Sequence, residues 1–204
     1  MGILSPTVSM TRYTIEGKLQ GPILETVARG LRKYTIAEND DQVSEKTVGW
    51  TSLATSFAPD FEGSSFVMGT HLVFSLRIDK KTVPPKTIKK HCAIQEAKTL
   101  SKSGRQYLSR HEKNMIREQV TNTLFLRIPA TPNIYDVIWN YEEASLWFFS
   151  TLKAANEELE TLFLQSFKVP LIRLFPYTLA DLAMALTDTE RDILADLSAT
   201  TFLE

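Results

Sequence analysis

The stretch FVMGTHLVFSLRID, residues 66–79, places Leu72, Phe74, Leu76 and Ile78 on every second position. Alternation of that length sends one set of side chains to one face, the pattern of a long β-strand with a layer packed against it. The stretch runs into KKTVPPKTIKK, residues 80–90, where Pro84-Pro85 ends any ladder and lysine replaces the apolar residues.

Upstream of this junction, Met10 to Leu19 mixes β-branched, aromatic and polar residues and reads as a first strand. Gly21-Pro22 breaks it, with Pro22 suited to the first helical position. Ile23, Leu24, Val27, Leu31 and Tyr34 then recur at helical spacing, an amphipathic helix that covers a sheet. Asn39 to Glu45 is a polar loop, Val48-Gly49-Trp50 opens a short strand, and Thr55 to Ser65 is a loop containing Pro59 and Gly63.

Downstream, Lys86 to Leu100 reads as a helix with a poor apolar stripe, since Ile88 and Cys92 lie apart from Ala93, Ala97 and Leu100. Such a helix is exposed on more than one side. After Ser103-Gly104, Ser109 and Glu112 have the spacing of a capping box that opens a second helix, with Ile116, Val120 and Leu124 as its buried stripe. Pro129 and Pro132 close this section. Ile134 to Tyr141 and Leu146 to Phe149 form a hairpin across Glu142-Glu143-Ala144. Ser150 is placed to cap a helix carrying Leu152, Ala155, Leu159, Leu162 and Phe163, and Val169 to Phe175 is a last strand. Thr187 and Glu190 form a second capping box before a short helix at Asp188 to Leu197.

The expected class is α+β. Two small sheet-and-helix layers, β-α-β-β and β-β-α-β, are joined by a basic two-helix section. The organisation reads as an N-terminal half (1–82), a basic helical section (83–128) and a C-terminal half with a helical tail (129–204).

The formal net charge of −1 hides a strong division. Between Arg77 and Arg117 stand twelve basic residues: Arg77, Lys80, Lys81, Lys86, Lys89, Lys90, Lys98, Lys102, Arg105, Arg110, Lys113 and Arg117. Against them stand Asp79, Glu96 and Glu112, a net of +9 over 41 residues. The other 163 residues carry 11 basic and 21 acidic groups, a net of −10. A block of this kind either meets a polyanion or is a solvated helix surface.

Other classes lose their support. No apolar run reaches the length of a membrane span, and Met1 to Pro6 has neither a signal-peptide pattern nor the Ser or Thr that myristoylation requires where Pro6 stands. One cysteine, Cys92, forms no internal disulfide, and with three scattered histidines no structural zinc site is expected. A cytoplasmic protein without cofactors is the expectation. Gly17-Lys18 lacks the glycine of a P-loop, with Arg12 in its place; Met115 replaces the second histidine of a zincin string begun by His111-Glu112; and no Gly-x-Ser-x-Gly elbow occurs.

Two patterns carry alternatives. Pro59-Asp60 followed by Asp79-Lys80-Lys81 resembles the arrangement of Mg²⁺-dependent nucleases. There, two carboxylates (Asp60 and Asp79) would hold the metal at the scissile phosphate and Lys81 would orient the attacking water. Tyr135, Val137, Trp139 and Tyr141 alternate onto one face of the hairpin, either a platform for unpaired bases or a core. The mostly apolar positions opposite them favour a core.

Several strings, taken together and in order, resemble the RdgC family of bacterial recombination-associated DNA-binding proteins. They are Val48-Gly49-Trp50, Val83-Pro84-Pro85-Lys86-Thr87-Ile88-Lys89, the cationic two-helix section to Leu124, and the hairpin, helix and strand ending Val169-Pro170-Leu171. The resemblance spans about Thr11 to Phe175 and identifies a short member without the usual further C-terminal region. It implies a non-enzymatic, nucleoid-associated homodimer that binds double-stranded DNA without strong sequence preference and restrains a RecA-type recombinase. It also adds Arg127 to the twelve cations of the block as a DNA-binding residue. A metal nuclease and a protein-interaction module with an incidental basic face stand as the other readings.

Overall fold

The computed structural model of the chain describes residues 2–3, 5–38, 40, 43–184 and 186–198. Strands β1 (Thr11–Ile15), β2 (Lys46–Thr51), β3 (Val67–Met68), β4 (His71–Lys80), β5 (Thr131–Asn140), β6 (Ser145–Phe148) and β7 (Leu171–Leu174) form one antiparallel sheet in the order β2-β4-β5-β6-β1-β7. The short β3 pairs with the start of β4. The helices are α1 (Ile23–Lys33), α2 (Pro85–Ser103), α3 (Arg110–Phe125), α4 (Lys153–Phe167), α5 (Pro176–Met184) and α6 (Asp188–Asp196).

The α+β class is the one expected, and the two halves share a single sheet instead of forming two layers. Strands β4 and β5 pair at ten positions, from His71↔Asn140 to Lys80↔Thr131. Separate layers would leave one long edge of β4 without hydrogen-bond partners, and this ladder removes that edge. Strand β1 crosses into the second half and lies between β6 and β7.

Leu72, Phe74, Leu76 and Ile78 join Tyr13, Val137, Trp139, Leu146 and Phe148 in the core, where Val27 and Leu31 of α1 and Leu159, Phe163 and Phe167 of α4 meet them. Trp50 stands edge-on to Phe74 at 5.1 Å and Trp139 edge-on to Phe163 at 5.0 Å, so both indoles serve packing. The polar edge of Trp50 is used: its Nε1 donates to Ser166 Oγ at 2.8 Å. The buried Tyr13 hydroxyl shares its one proton between Asn156 Oδ1 at 2.6 Å and Glu160 Oε1 at 2.9 Å, and Arg173 pairs with Glu160 at 2.6 Å, tying β1 and β7 to α4. Burial, then the hydrogen bond to Glu160, raises the Tyr13 pKa.

Several boundaries differ from the sequence reading for local reasons. The long strand starts at His71, because Gly69 takes a left-handed φ of 63° and folds β3 back onto β4. Ser150 acts before the helix it was expected to cap: its hydroxyl accepts from the Leu152 amide, its carbonyl accepts from Asn156, and Leu152 is the N-cap residue. Helix α5 went unread, since its apolar residues make no buried stripe. Both capping boxes form as expected. The polar loop at Asn39 to Glu45 includes positions 39, 41 and 42, which lie outside the described residues, as do 1 and 4 in the leading segment. Among the described residues, no helix is long and apolar enough to cross a membrane.

Helices α1 and α4 cross at Gly30, where an added Cβ would stand 2.6 Å from Phe167 Cε1 and 3.0 Å from the Ser166 carbonyl oxygen. Gly30→Ala gains about 1 kcal/mol of helix propensity, yet overpacking of a fixed aromatic ring costs about 1–3 kcal/mol. We expect net destabilisation and a lower Tm on thermal unfolding; an unchanged or higher Tm contradicts the close crossing.

Candidate nucleic-acid interface

The two basic helices form an insertion between paired strands. Lys80 and Thr131 are cross-strand partners, so the chain leaves β4 and re-enters β5 at adjacent positions, and residues 81–130 form an arm between them. Pro85 occupies the first turn of α2, where its missing amide proton costs nothing, and Gly104 ends the helix with a left-handed φ of 64°. Ser109 Oγ accepts from the Glu112 amide and Glu112 Oε2 accepts from the Ser109 amide, opening α3. Arg105 closes this turn by pairing with Glu112 at 2.7 Å.

The Ser109 amide hydrogen bond first, and Arg105 next, lower the Glu112 pKa to about 2. A carboxyl whose folded value lies below its unfolded value stabilises the fold above that unfolded value and loses the contribution as pH falls. The turn between α2 and α3 is therefore expected to hold from neutral pH to about pH 5 and to loosen as pH approaches 2. Amide exchange in the first turn of α3, corrected for intrinsic rates, should show this loss, and Glu112→Gln should remove it. A parent profile flat to pH 2 contradicts the assignment.

Helix α2 contributes no buried residue, whereas α3 buries Ile116 and Leu124. This matches the scattered apolar pattern of Lys86 to Leu100. The arm packs chiefly on itself and leaves most of its surface to solvent. Eleven of the thirteen nominated cations are exposed: Lys80, Lys86, Lys89, Lys90, Lys98, Lys102, Arg105, Arg110, Lys113, Arg117 and Arg127. Lys89, Lys113 and Arg117 line one groove of about 490 Å³ between the helices, and Lys98 and Arg127 line a second of about 260 Å³ with His91. Lys80 stands at the root of the arm beside Lys46.

The other two nominated cations are elsewhere. Arg77 is 4% exposed and Lys81 is 1% exposed. The sequence reading assumed that β4 buries one face; it buries both. On the second face the Arg77 guanidinium forks onto both oxygens of Asp79, at 2.8 and 2.6 Å, with Glu38 at 3.4 Å and the Phe57 ring over its Cζ at 5.0 Å. Burial opposes its charge, but Asp79 and Glu38 outweigh that and hold its pKa above the ordinary value. Lys81 Nζ donates to the Phe125 carbonyl at 2.9 Å and to the Asp40 carbonyl at 2.8 Å. A cation on the last carbonyl of α3 meets the negative pole of that helix, so Lys81, directly after β4, ties the start of the arm to the end of α3.

The same contacts bear on the nuclease pattern. Asp79 is committed to Arg77, Lys81 to backbone carbonyls, and Asp60 Oδ1 accepts from the Glu62 amide in its own loop. Among the described residues no three His, Cys, Asp or Glu side chains are grouped to hold a metal ion. Arg77→Met strands the buried Asp79 carboxylate and should cost about 3–5 kcal/mol. Adding Asp79→Leu should recover most of that in a denaturant titration; full additivity of the two losses contradicts a coupled pair.

Four cations outside the block, Lys18, Arg29, Lys33 and Lys168, line a crevice of about 360 Å³ between α1 and α4. Their wide separation along the chain left no signal in the sequence. No model of a known family matches this chain, and no curated protein matches it.

Proposed function

We propose that the protein binds double-stranded DNA through the arm, without reading sequence. The observation that carries this reading is the concentration of ten exposed cations on an arm rooted between paired strands, with Lys80 exposed at its root, in a chain whose remainder is acidic. One inter-helical groove brings Lys89 of α2 to Lys113 and Arg117 of α3, the other brings Lys98 of α2 to Arg127 just beyond α3, and phosphate neutralisation needs charge at that density. Acidic surroundings disfavour approach of DNA from other sides. The bases have no evident reader, because the exposed side chains are mainly Lys, whose point charges suit phosphates better than base edges.

The resemblance to the RdgC family extends the proposal. The protein is non-enzymatic, restrains a RecA-type recombinase by occupying the duplex, and acts in the nucleoid as a homodimer. Two-fold pairing would bring two arms to one DNA path and raise affinity through linked contacts.

If about 6–8 phosphates are contacted, log K should fall with log salt at a slope of roughly −5 to −7. Lys89→Glu with Lys90→Glu, and separately Arg110→Glu with Lys113→Glu, should each weaken duplex binding roughly tenfold or more and flatten the slope by about 2. All four side chains are exposed, so the circular dichroism spectrum should not change. Parent-like binding by both variants in an electrophoretic shift, or a strong preference for one oligonucleotide, contradicts the reading.

A further inference from the structure

The crevice between α1 and α4 lies on the side of the sheet that these helices cover, and no residue of the arm lines it. Gly30 and Phe167 bring the two helices close enough for cations from separate elements to converge. Lys18 comes from the loop after β1, Arg29 and Lys33 stand one turn apart on α1, and Lys168 is the left-handed C-cap residue of α4, with φ 60°. All four side chains are exposed, and none forms an ion pair among the described residues. Lys33 lies 5.2 Å from the Tyr34 ring centroid, a contact that leaves its charge unneutralised. No carboxylate lines the crevice.

Two features set this cluster apart from scattered surface lysines. The sequence outside the basic block holds only 11 basic residues against 21 acidic ones, yet four of the 11 converge here. The ends of α1 and α4 present negative poles of roughly half a charge each, which offset about one of the four charges and leave the rest unmatched. The side-chain amides of Gln20 and Gln165 also line the space and make no hydrogen bond among the described residues. At about 360 Å³, the volume falls in the range of small-ligand sites and accommodates two or three linked phosphate groups.

We propose that this crevice is a second, separate phosphate-binding site, which takes adjacent phosphate groups from a free polyphosphate or nucleotide or from a nucleic-acid strand. The chemistry common to both sources is a short run of linked phosphates held by Arg29, Lys33, Lys18 and Lys168. The inference does not depend on duplex binding by the arm.

The test is calorimetric titration of the full chain with inorganic tripolyphosphate at low salt. Three proteins are compared: the parent, Arg29→Gln with Lys168→Gly, and the arm variant Lys89→Glu with Lys90→Glu. Glycine at position 168 removes the charge and suits the left-handed backbone, so the fold is kept. We expect saturable binding by the parent and the arm variant, and at least tenfold weaker binding by the crevice variant. The duplex shift assay then separates the sources. Weaker duplex binding by the crevice variant assigns the site to a nucleic-acid strand, and parent-like duplex binding assigns it to a free phosphate ligand. Absence of saturable tripolyphosphate binding in the parent, or equal affinity in the crevice variant, overturns the proposal.

Discussion

The ladder between β4 and β5 is the constraint on which the remaining arrangement depends. Its ten pairs join the two halves of the chain into one sheet and hold the two ends of the arm at neighbouring positions. An insertion whose ends are fixed side by side needs no core contact along its length to be oriented. The arm can therefore be largely solvated, with α2 burying nothing and α3 only Ile116 and Leu124. Lys81, the first residue after β4, adds the second restraint by donating to the carbonyl of Phe125 at the C-terminus of α3. An apolar side chain at that position would leave this end of α3 unanchored.

Charge is divided between two tasks. Exposed cations on the arm face solvent with few carboxylates near them, whereas Arg77 and Lys81 stand in the same sequence block but serve the interior. The Arg77–Asp79 pair shows why burial of charge is tolerated there. Both carboxylate oxygens receive guanidinium protons, and Glu38 and the Phe57 ring complete the surroundings. Removing either member alone would leave a bare charge in a dry site.

Much of the fold was legible in the sequence because its signals are local and periodic. The alternation of Leu72, Phe74, Leu76 and Ile78, the spacing of Val27 and Leu31, and the capping boxes of Ser109–Glu112 and Thr187–Glu190 all led to the observed elements. What escaped was set by contacts between distant residues. No pattern around Arg77 distinguishes a buried guanidinium from an exposed one, because its burial depends on Phe57, Glu38 and the second face of the sheet. Pairing of β4 with β5 across an insertion of fifty residues is equally silent in local periodicity. The candidate interface was legible as a charge block but not as grooves. Which lysines share a groove is decided by how α2 packs on α3, and the α1–α4 crevice gathers residues 18, 29, 33 and 168 from three separate elements.

An arm with little burial should exchange its amides quickly when free and slowly when bound along a polyanion. The most direct measurement of the central claim is hydrogen exchange of the full chain with and without saturating duplex DNA, read by mass spectrometry. The account predicts that the largest protection falls on peptides within 85–125, with the β4–β5 ladder already protected and little changed. Saturating duplex that leaves the exchange of 85–125 unaltered would contradict the assignment of the arm as the DNA-binding element.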